Sequence, residues 1–334
     1  MRQSLARLQA QLVEAQKEVS TGRHADVGAS LGAKTGQTVS LRQEYTRLAA
    51  IIDSNGTVGA RLQAAQSALE TVGTEAQTFL DQLAAAGTGE VQRVLQGEAR
   101  SGLTALIGVL NTQFAGTYLF AGINSDVKPI ADYEQNPPGP AKQAVDNAFL
   151  TYFGFTQTDP AVAGISAADM QAFLDGPFAA LFADPAWGST WSQAADQNVR
   201  SRISGSELIE TSTNANVDAV RKLVSAYTMV ADLGGDNLNQ AAFRTVAQRA
   251  SELIAESVQD LTAVRSDLGF AQQRVADANT RMSLQRDIIS NHIGALEGVD
   301  PYEASNRLSA LVNQVETAYA VSSRISKLTL LDYL

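Results

Sequence analysis

Residues 41–83 read LRQEYTRLAAIIDSNGTVGARLQAAQSALETVGTEAQTFLDQL, and the spacing inside that stretch decides the fold. Leu41, Leu48, Asn55, Leu62, Leu69, Ala76 and Leu83 recur every seven residues. Ile51, Val58, Ala65, Val72 and Phe79 follow three residues behind members of that series. Such a repeat lays an apolar seam along one side of a long helix, which then needs a partner helix to cover it. Asn55-Gly56 argues locally for a turn. The seven-residue phase continues on both sides, so the spacing predicts one unbroken helix with Asn55 as a polar register point on its seam.

A matching seam lies far downstream. Leu261, Leu268, Val275, Met282, Ile289 and Leu296 again step by seven, with Val264, Ala271 and Ala278 between them and Gln285 and His292 as polar members. From about Ala241 to Glu297 the chain can form a helix of about 85 Å at 1.5 Å per residue. Gly298 stops it, and Asp300-Pro301 restarts a helix with Asp as N-cap and Pro at the first position. The two seams are expected to pack together as a long antiparallel coiled-coil rod, in a mainly α fold.

Between the seams the character changes. Seven of the eight prolines fall between Pro129 and Pro185, and ten of the 21 aromatics between Tyr133 and Trp191. These aromatics suffice for a small separate core. Asn136-Pro-Pro-Gly-Pro140 reads as a rigid turn or linker, Ser166 with Asp169 as a helix start, and Asp175-Gly-Pro177 as a stop or kink. Residues 199–203 and 207–210 are a candidate hairpin. The expected organisation is therefore 1–125 and 206–334 as the two halves of the rod, with 126–205 an inserted small α(+β) domain at one end. Residues 1–25 and 300–334 form terminal arms.

The arms are amphipathic. Leu5, Leu8, Leu12, Ala15 and Val19 follow coiled-coil spacing, and Leu308, Leu311, Val315, Ala318, Ile325 and Leu328 recur at helical spacing. The chain ends on Leu328-Thr-Leu-Leu-Asp-Tyr-Leu334, its most apolar stretch. The arms can pair with each other, and what that pairing leaves uncovered can face other copies. Leu5, Leu8, Leu12, Val315, Ile325, Leu328, Leu330, Leu331 and Leu334 are the candidate assembly residues.

Composition narrows the chemistry. A net charge of −10 with only six Lys argues against a nucleic-acid partner, since neutralising phosphates needs a basic surplus. The absence of Cys removes disulfides, thiolate metal sites and thiol nucleophiles. Residues 1–20 lack a secretory signal pattern, and runs such as Ala105-Leu-Ile-Gly-Val-Leu110 are too short to span a membrane. Gly28-Ala-Ser30-Leu-Gly32 matches the nucleophile-elbow pattern, but helical periodicity precedes it where a strand is required, so it reads as a small-residue loop. His24 and His292 have no metal-ligand spacing, and Leu233-Gly-Gly-Asp-Asn237 reads as an interhelical turn. Glu252 and Glu256 belong to a solvated helix face. No catalytic, cofactor or metal site is expected.

Gln16-Lys-Glu-Val-Ser-Thr-Gly-Arg23 and the 328–334 segment resemble the bacterial flagellin superfamily, over roughly 1–125 and 206–334. Asn111-Thr-Gln-Phe-Ala-Gly-Thr-Tyr-Leu-Phe-Ala-Gly-Ile-Asn-Ser-Asp-Val-Lys-Pro129 is similar to the hook–filament junction branch, the third hook-associated proteins. The resemblance implies a non-enzymatic flagellar subunit, exported unfolded without a cleaved signal peptide and located outside the cell. Implied partners are further copies, flagellin, other hook-associated proteins and an export chaperone, with no membrane partner. A filament flagellin is the alternative, and a surface homologue binding polysaccharide through the aromatic insertion is a lesser one. Ser20-Thr-Gly22 comes earlier than is usual in the family, which implies a shortened first helix.

Overall fold

The computed structural model describes residues 2–84, 89–233 and 237–327. The chain is mainly α and divides into two units, one of Met1–Asp53 with Thr280–Leu334 and one of Ser54–Asn279.

The seam predicted from residues 41–83 lies in α3, Thr35–Ala84, a single helix of 50 residues. It passes through Asn55-Gly56 without a break. Leu62, Ala65, Leu69, Val72, Ala76, Phe79 and Leu83 are all buried, as is Asn55 at 1% exposure. The downstream seam lies in α9, Gln240–Glu297, and the two helices run antiparallel. In the second unit Gln66 Nε2 donates to the Arg265 carbonyl at 2.6 Å and Gln272 Nε2 to Gln63 Oε1 at 3.3 Å.

One part of the α9 seam departs from expectation. Leu261, Leu268, Val275, Ala278 and Met282 are buried, but Gln285 and His292 are exposed, and Ile293 and Glu297 are buried instead. A 3.6-residue helix drifts about 20° per heptad against a seven-residue repeat, so over about five heptads the buried stripe moves by one position. His292 is therefore a solvent group, not a seam residue.

In the second unit α3 and α9 are joined by α4, Gly89–Leu110, and α8, Asp218–Leu233. α8 is buried along most of its surface, with Leu223, Val224, Ala226, Met229 and Val230 each at most 1% exposed and Asp218 left exposed at its start. Phe79 of α3 stacks on Tyr227 with centroids 5.0 Å apart, and Gly102 lets α4 close on that tyrosine ring. Ser257 Oγ donates to the Ala219 carbonyl at 2.6 Å, fastening α9 to α8. The turn expected at 233–237 falls largely on 234–236, outside the described residues.

The aromatic region also belongs to this unit. It holds α5, Pro140–Phe153, α6, Ala167–Phe173, and α7, Ala186–Thr190. Ser166 caps α6 by accepting from the Asp169 N–H at 3.0 Å. After α6 the chain continues as a wide π turn, Leu174–Phe178, because Pro177 has no N–H to give; the Asp175–Pro177 signal marks a kink. Phe149, Phe173, Phe178, Phe182, Trp191 and Trp187 form a continuous ladder with successive centroids 5.1–6.0 Å apart. Strands Arg200–Arg202 and Leu208–Glu210 pair antiparallel, giving the expected hairpin. A second, two-residue ladder joins Gln113–Phe114 to Thr117–Tyr118.

Residues 119–122 lie where the chain enters and returns from this region. The Ala121 carbonyl accepts from the Ala195 N–H at 3.0 Å, and the Phe120 carbonyl from the Ala215 N–H at 2.8 Å. Leu119, Phe120 and Ala121 are buried. Gly122 has φ +62, and a Cβ there would meet the Gln197 carbonyl oxygen at 2.6 Å. The Leu119-Phe-Ala-Gly122 segment is thus a piece of interior architecture that needs its glycine.

Candidate assembly interface in the terminal helices

In the first unit α1, Arg2–Thr21, packs antiparallel against α10, Pro301–Lys327. Arg307 Nη1 pairs with Glu18 Oε2 at 3.0 Å and Gln9 Nε2 donates to the Tyr319 hydroxyl at 2.6 Å. Leu5, Leu8 and Leu12 are half-buried in this pairing, as is Val315, while Ala15 and Leu311 are buried. Ile325 is 46% exposed, so the helix pair does not cover it. Leu328, Leu330, Leu331 and Leu334 lie outside the described residues. Val19, expected on the seam, is 40% exposed, and Glu18 takes the inner position because it answers Arg307.

The base of the arms is clamped by charge. Glu297, the last residue of α9, has a fully buried carboxylate. Arg42 of α3 donates to it through Nε at 2.8 Å and again through Nη2, and Arg23 Nη1 lies 3.4 Å away. The hydrogen-bonded Arg42 guanidinium, assisted by Arg23, holds the Glu297 carboxyl below the ordinary carboxylate range. The backbone adds two bonds: the His24 N–H donates to the Glu297 carbonyl at 2.9 Å and the Val299 N–H to the Gly22 carbonyl at 3.1 Å. Gly22, at φ +67, allows the turn. The Ser20-Thr-Gly22 segment therefore fastens the first arm to the start of the second. Sequence reasoning did not reach this clamp, because its members lie 255 residues apart and no local pattern links them.

Along the arms the α1–α10 pair leaves an open groove of about 550 Å³. Leu5 and Leu8 form one wall; Asn313, Thr317, Ala318 and Val321 form the other. No described residue lining it is charged. Val321 on its wall is 48% exposed, and elsewhere on the two helices Val13 is 63% and Tyr319 49% exposed. Apolar surface of this kind on a helix pair is a docking face rather than a chemical centre.

The residues weighed for catalysis stand apart from any such centre. Ser30 belongs to a one-turn helix, α2, Val27–Leu31, capped by Asp26, where a small-residue loop was expected. Among the described residues no strand precedes it, so the nucleophile-elbow context fails. Glu252 answers Arg249, and Glu256 answers Lys222 of α8. Among the described residues no three or more His, Asp or Glu gather as a metal set, and no helix is long and apolar enough to cross a membrane. Trp187 and Trp191 are 0% and 1% exposed, so neither offers a face for stacking on a sugar. The buried Asp232 carboxylate accepts from the Tyr133 hydroxyl at 2.8 Å and pairs with Lys142 at 3.1 Å. Burial is the main cause that raises its pKa, and the cluster ties the aromatic region to α8.

Comparison with known proteins bears on both ends of the chain. Residues 1–125 match the bacterial flagellin N-terminal helical region, and residues 251–334 match the bacterial flagellin C-terminal helical region. No curated protein matches. Among solved structures, one described as a flagellar hook-associated protein from Vibrio parahaemolyticus superposes with a TM-score of 0.56 at 9% identity. The match covers 80% of this chain and 99% of that one. At that identity the likeness is one of fold.

Proposed function

This chain belongs to the bacterial flagellin superfamily, a family of structural proteins, and from that premise we propose that it is the flagellar subunit joining hook to filament. It polymerises through its terminal helices, using Leu5, Leu8, Leu12, Val315, Ile325, Leu328, Leu330, Leu331 and Leu334. The observation that carries the assembly role is the α1–α10 pair, whose leucines are only half-buried along an open apolar groove. Burial of those faces between subunits yields about 25 cal/mol per Å² of apolar area, which offsets the cost of ordering the arms.

The junction position, as against a place in the filament, is supported by the likeness of residues 111–129 to the junction branch. Residues 126–205 form the inserted domain, carried on a helical scaffold supplied by 1–125 and 206–334. The subunit leaves the cell by the flagellar export route with a dedicated chaperone, and meets flagellin and other hook-associated proteins outside.

The test is electron microscopy of cells lacking the gene, with flagellin assayed in the spent medium. Bare hooks with flagellin shed into the medium are expected. Normal or merely shortened filaments overturn the junction role and leave a filament flagellin.

A further inference from the structure

In the second unit, the polar cluster between α5 and α8 holds a lysine against a carboxyl group. Lys142 and Asp146 stand about one turn apart on α5, and Asp232 is the last residue but one of α8. Lys142 Nζ lies 3.1 Å from Asp232 Oδ2 and also contacts Asp146 Oδ1. The same Asp232 Oδ2 accepts from the Tyr133 hydroxyl at 2.8 Å and from Gln157 Nε2 at 3.3 Å. The Tyr133 ring is fixed by Trp191, which stacks on it at 5.1 Å with 2° between the planes. The Asp232 side chain is 10% exposed and that of Lys142 24%.

These groups surround one carboxyl in the roles that amide formation needs. Lys142 supplies the nucleophile. Tyr133 and Gln157 donate to the oxygen that turns negative when an amine adds to Cγ. Asp146, more open to solvent, can take and return a proton. Burial opposes the Asp232 charge and raises its pKa, and the C-terminal end of α8 opposes that charge as well. For Lys142 burial is again the largest influence and favours the free amine, but Asp232 and Asp146 outweigh it and raise the pKa. The resting state is an ion pair with two poorly solvated charges, and joining the groups removes both.

We infer that Lys142 and Asp232 join as an isopeptide bond once the chain has folded. A proton passes from the Lys142 ammonium to Asp232 Oδ1. Nζ then adds to Cγ, and Oδ2 carries the negative charge beneath Tyr133 and Gln157. Asp146 takes a second proton from the nitrogen and hands it to Oδ1, which leaves as water while Oδ2 becomes the amide carbonyl. One ammonium and one carboxylate give one amide and one water, with no oxidant or further reactant. Groups held together this way reach effective molarities of about 10⁵–10⁸ M, far above the concentration of the water that would reverse the step. The bond fastens the aromatic region to α8 in a chain that has no Cys for a disulfide.

Mass spectrometry of the purified full chain tests this. The intact mass should fall below the sequence mass by one water, and protease digestion should release a branched peptide joining Lys142 to Asp232. Chain recovered unfolded and kept in urea should show the full mass and lose the water only after refolding. Lys142→Arg keeps the ion pair and should stay at full mass with an unchanged helical signal. Asp146→Asn should slow the loss of water after refolding about 100-fold, and an unchanged rate overturns the proton route. A folded parent chain that stays at full sequence mass overturns the inference. So does a water lost elsewhere, such as a succinimide at Asp175-Gly176, with the Lys142 amine still free. Loss of water by Lys142→Arg at the parent rate overturns it too.

Discussion

Arg42 Nε donates to Glu297 Oε1 at 2.8 Å, joining residues 255 positions apart at the base of the terminal arms. The Glu297 side chain is fully buried while Arg42 is half-exposed. The pair is therefore a partly screened, charge-assisted clamp, and its carboxylate is the more sensitive half.

Glu297→Gln keeps the volume and removes the charge. It should cost about 1–2 kcal/mol, the range for a hydrogen bond to a charged group with allowance for the exposed arginine. The folded-state pKa of Glu297 is lowered, so its contribution is present above the unfolded carboxylate value and is lost as pH falls through the folded value. Urea titrations at neutral and acidic pH should show the variant weaker at neutral pH and converging on the parent in acid. Coincident midpoints for variant and parent at both pH values would mean the carboxylate contributes nothing.

Leu62→Ala and Leu69→Ala each delete a side chain that is at most 1% exposed on the α3 seam. Each should cost about 2–5 kcal/mol, through lost transfer energy and the cavity left behind. Denaturant midpoints check this, and an unchanged midpoint at both sites would show that the seam does not hold the second unit together.

Gly122→Ala should destabilise by about 1–3 kcal/mol, because it combines a left-handed backbone with a clash against two carbonyl oxygens. Gly116→Ala is the control: its φ is +81, but nothing lies within 4 Å of the added methyl, so only the backbone strain applies. Equal melting temperatures for the two variants would remove the close approach of residues 195–197 as the reason for glycine.

These sites mark how far the sequence could be read. The α3 seam was legible because a seven-residue repeat records a partner's presence without naming the partner. Asn55 shows the limit. Its seam position predicts burial, but its actual bonds, to the Ile203 carbonyl and to Asn279 Oδ1 at 2.8 Å each, join it to a hairpin and a helix far away in sequence. The slip that exposes Gln285 and His292 is a cumulative property of helix twist, invisible in any single heptad. At the assembly interface the half-buried leucines of α1 were readable from spacing. The Glu297 clamp was not, since long-range ion pairs leave no periodic trace.

Trp187 and Trp191 give an optical test of the aromatic region. Both are buried, and Trp187 Nε1 donates to Asn216 Oδ1 at 2.8 Å. Their emission should be shielded from acrylamide and unchanged by added polysaccharide. Ready quenching, or a saturable shift with a sugar polymer, would restore a carbohydrate-binding role.

Leu328, Leu330 and Leu331 decide whether the end of the chain serves the fold or the assembly. In the first unit α1 and α10 already pair through Glu18–Arg307 and Gln9–Tyr319, and Ala15 and Leu311 are buried between them. Those described contacts all lie before residue 328. The triple change of all three leucines to Asp should therefore leave helical circular dichroism and the urea midpoint within about 0.5 kcal/mol of the parent, the range for surface substitutions. Assembly should stop, because three carboxylates cannot be buried in an apolar contact between subunits without a large desolvation cost. Sedimentation of the purified protein reads both effects at once, as a folded monomer that no longer forms large species. An unfolded variant would place these leucines in the protein's own core, and a variant that still polymerises would move the assembly surface elsewhere.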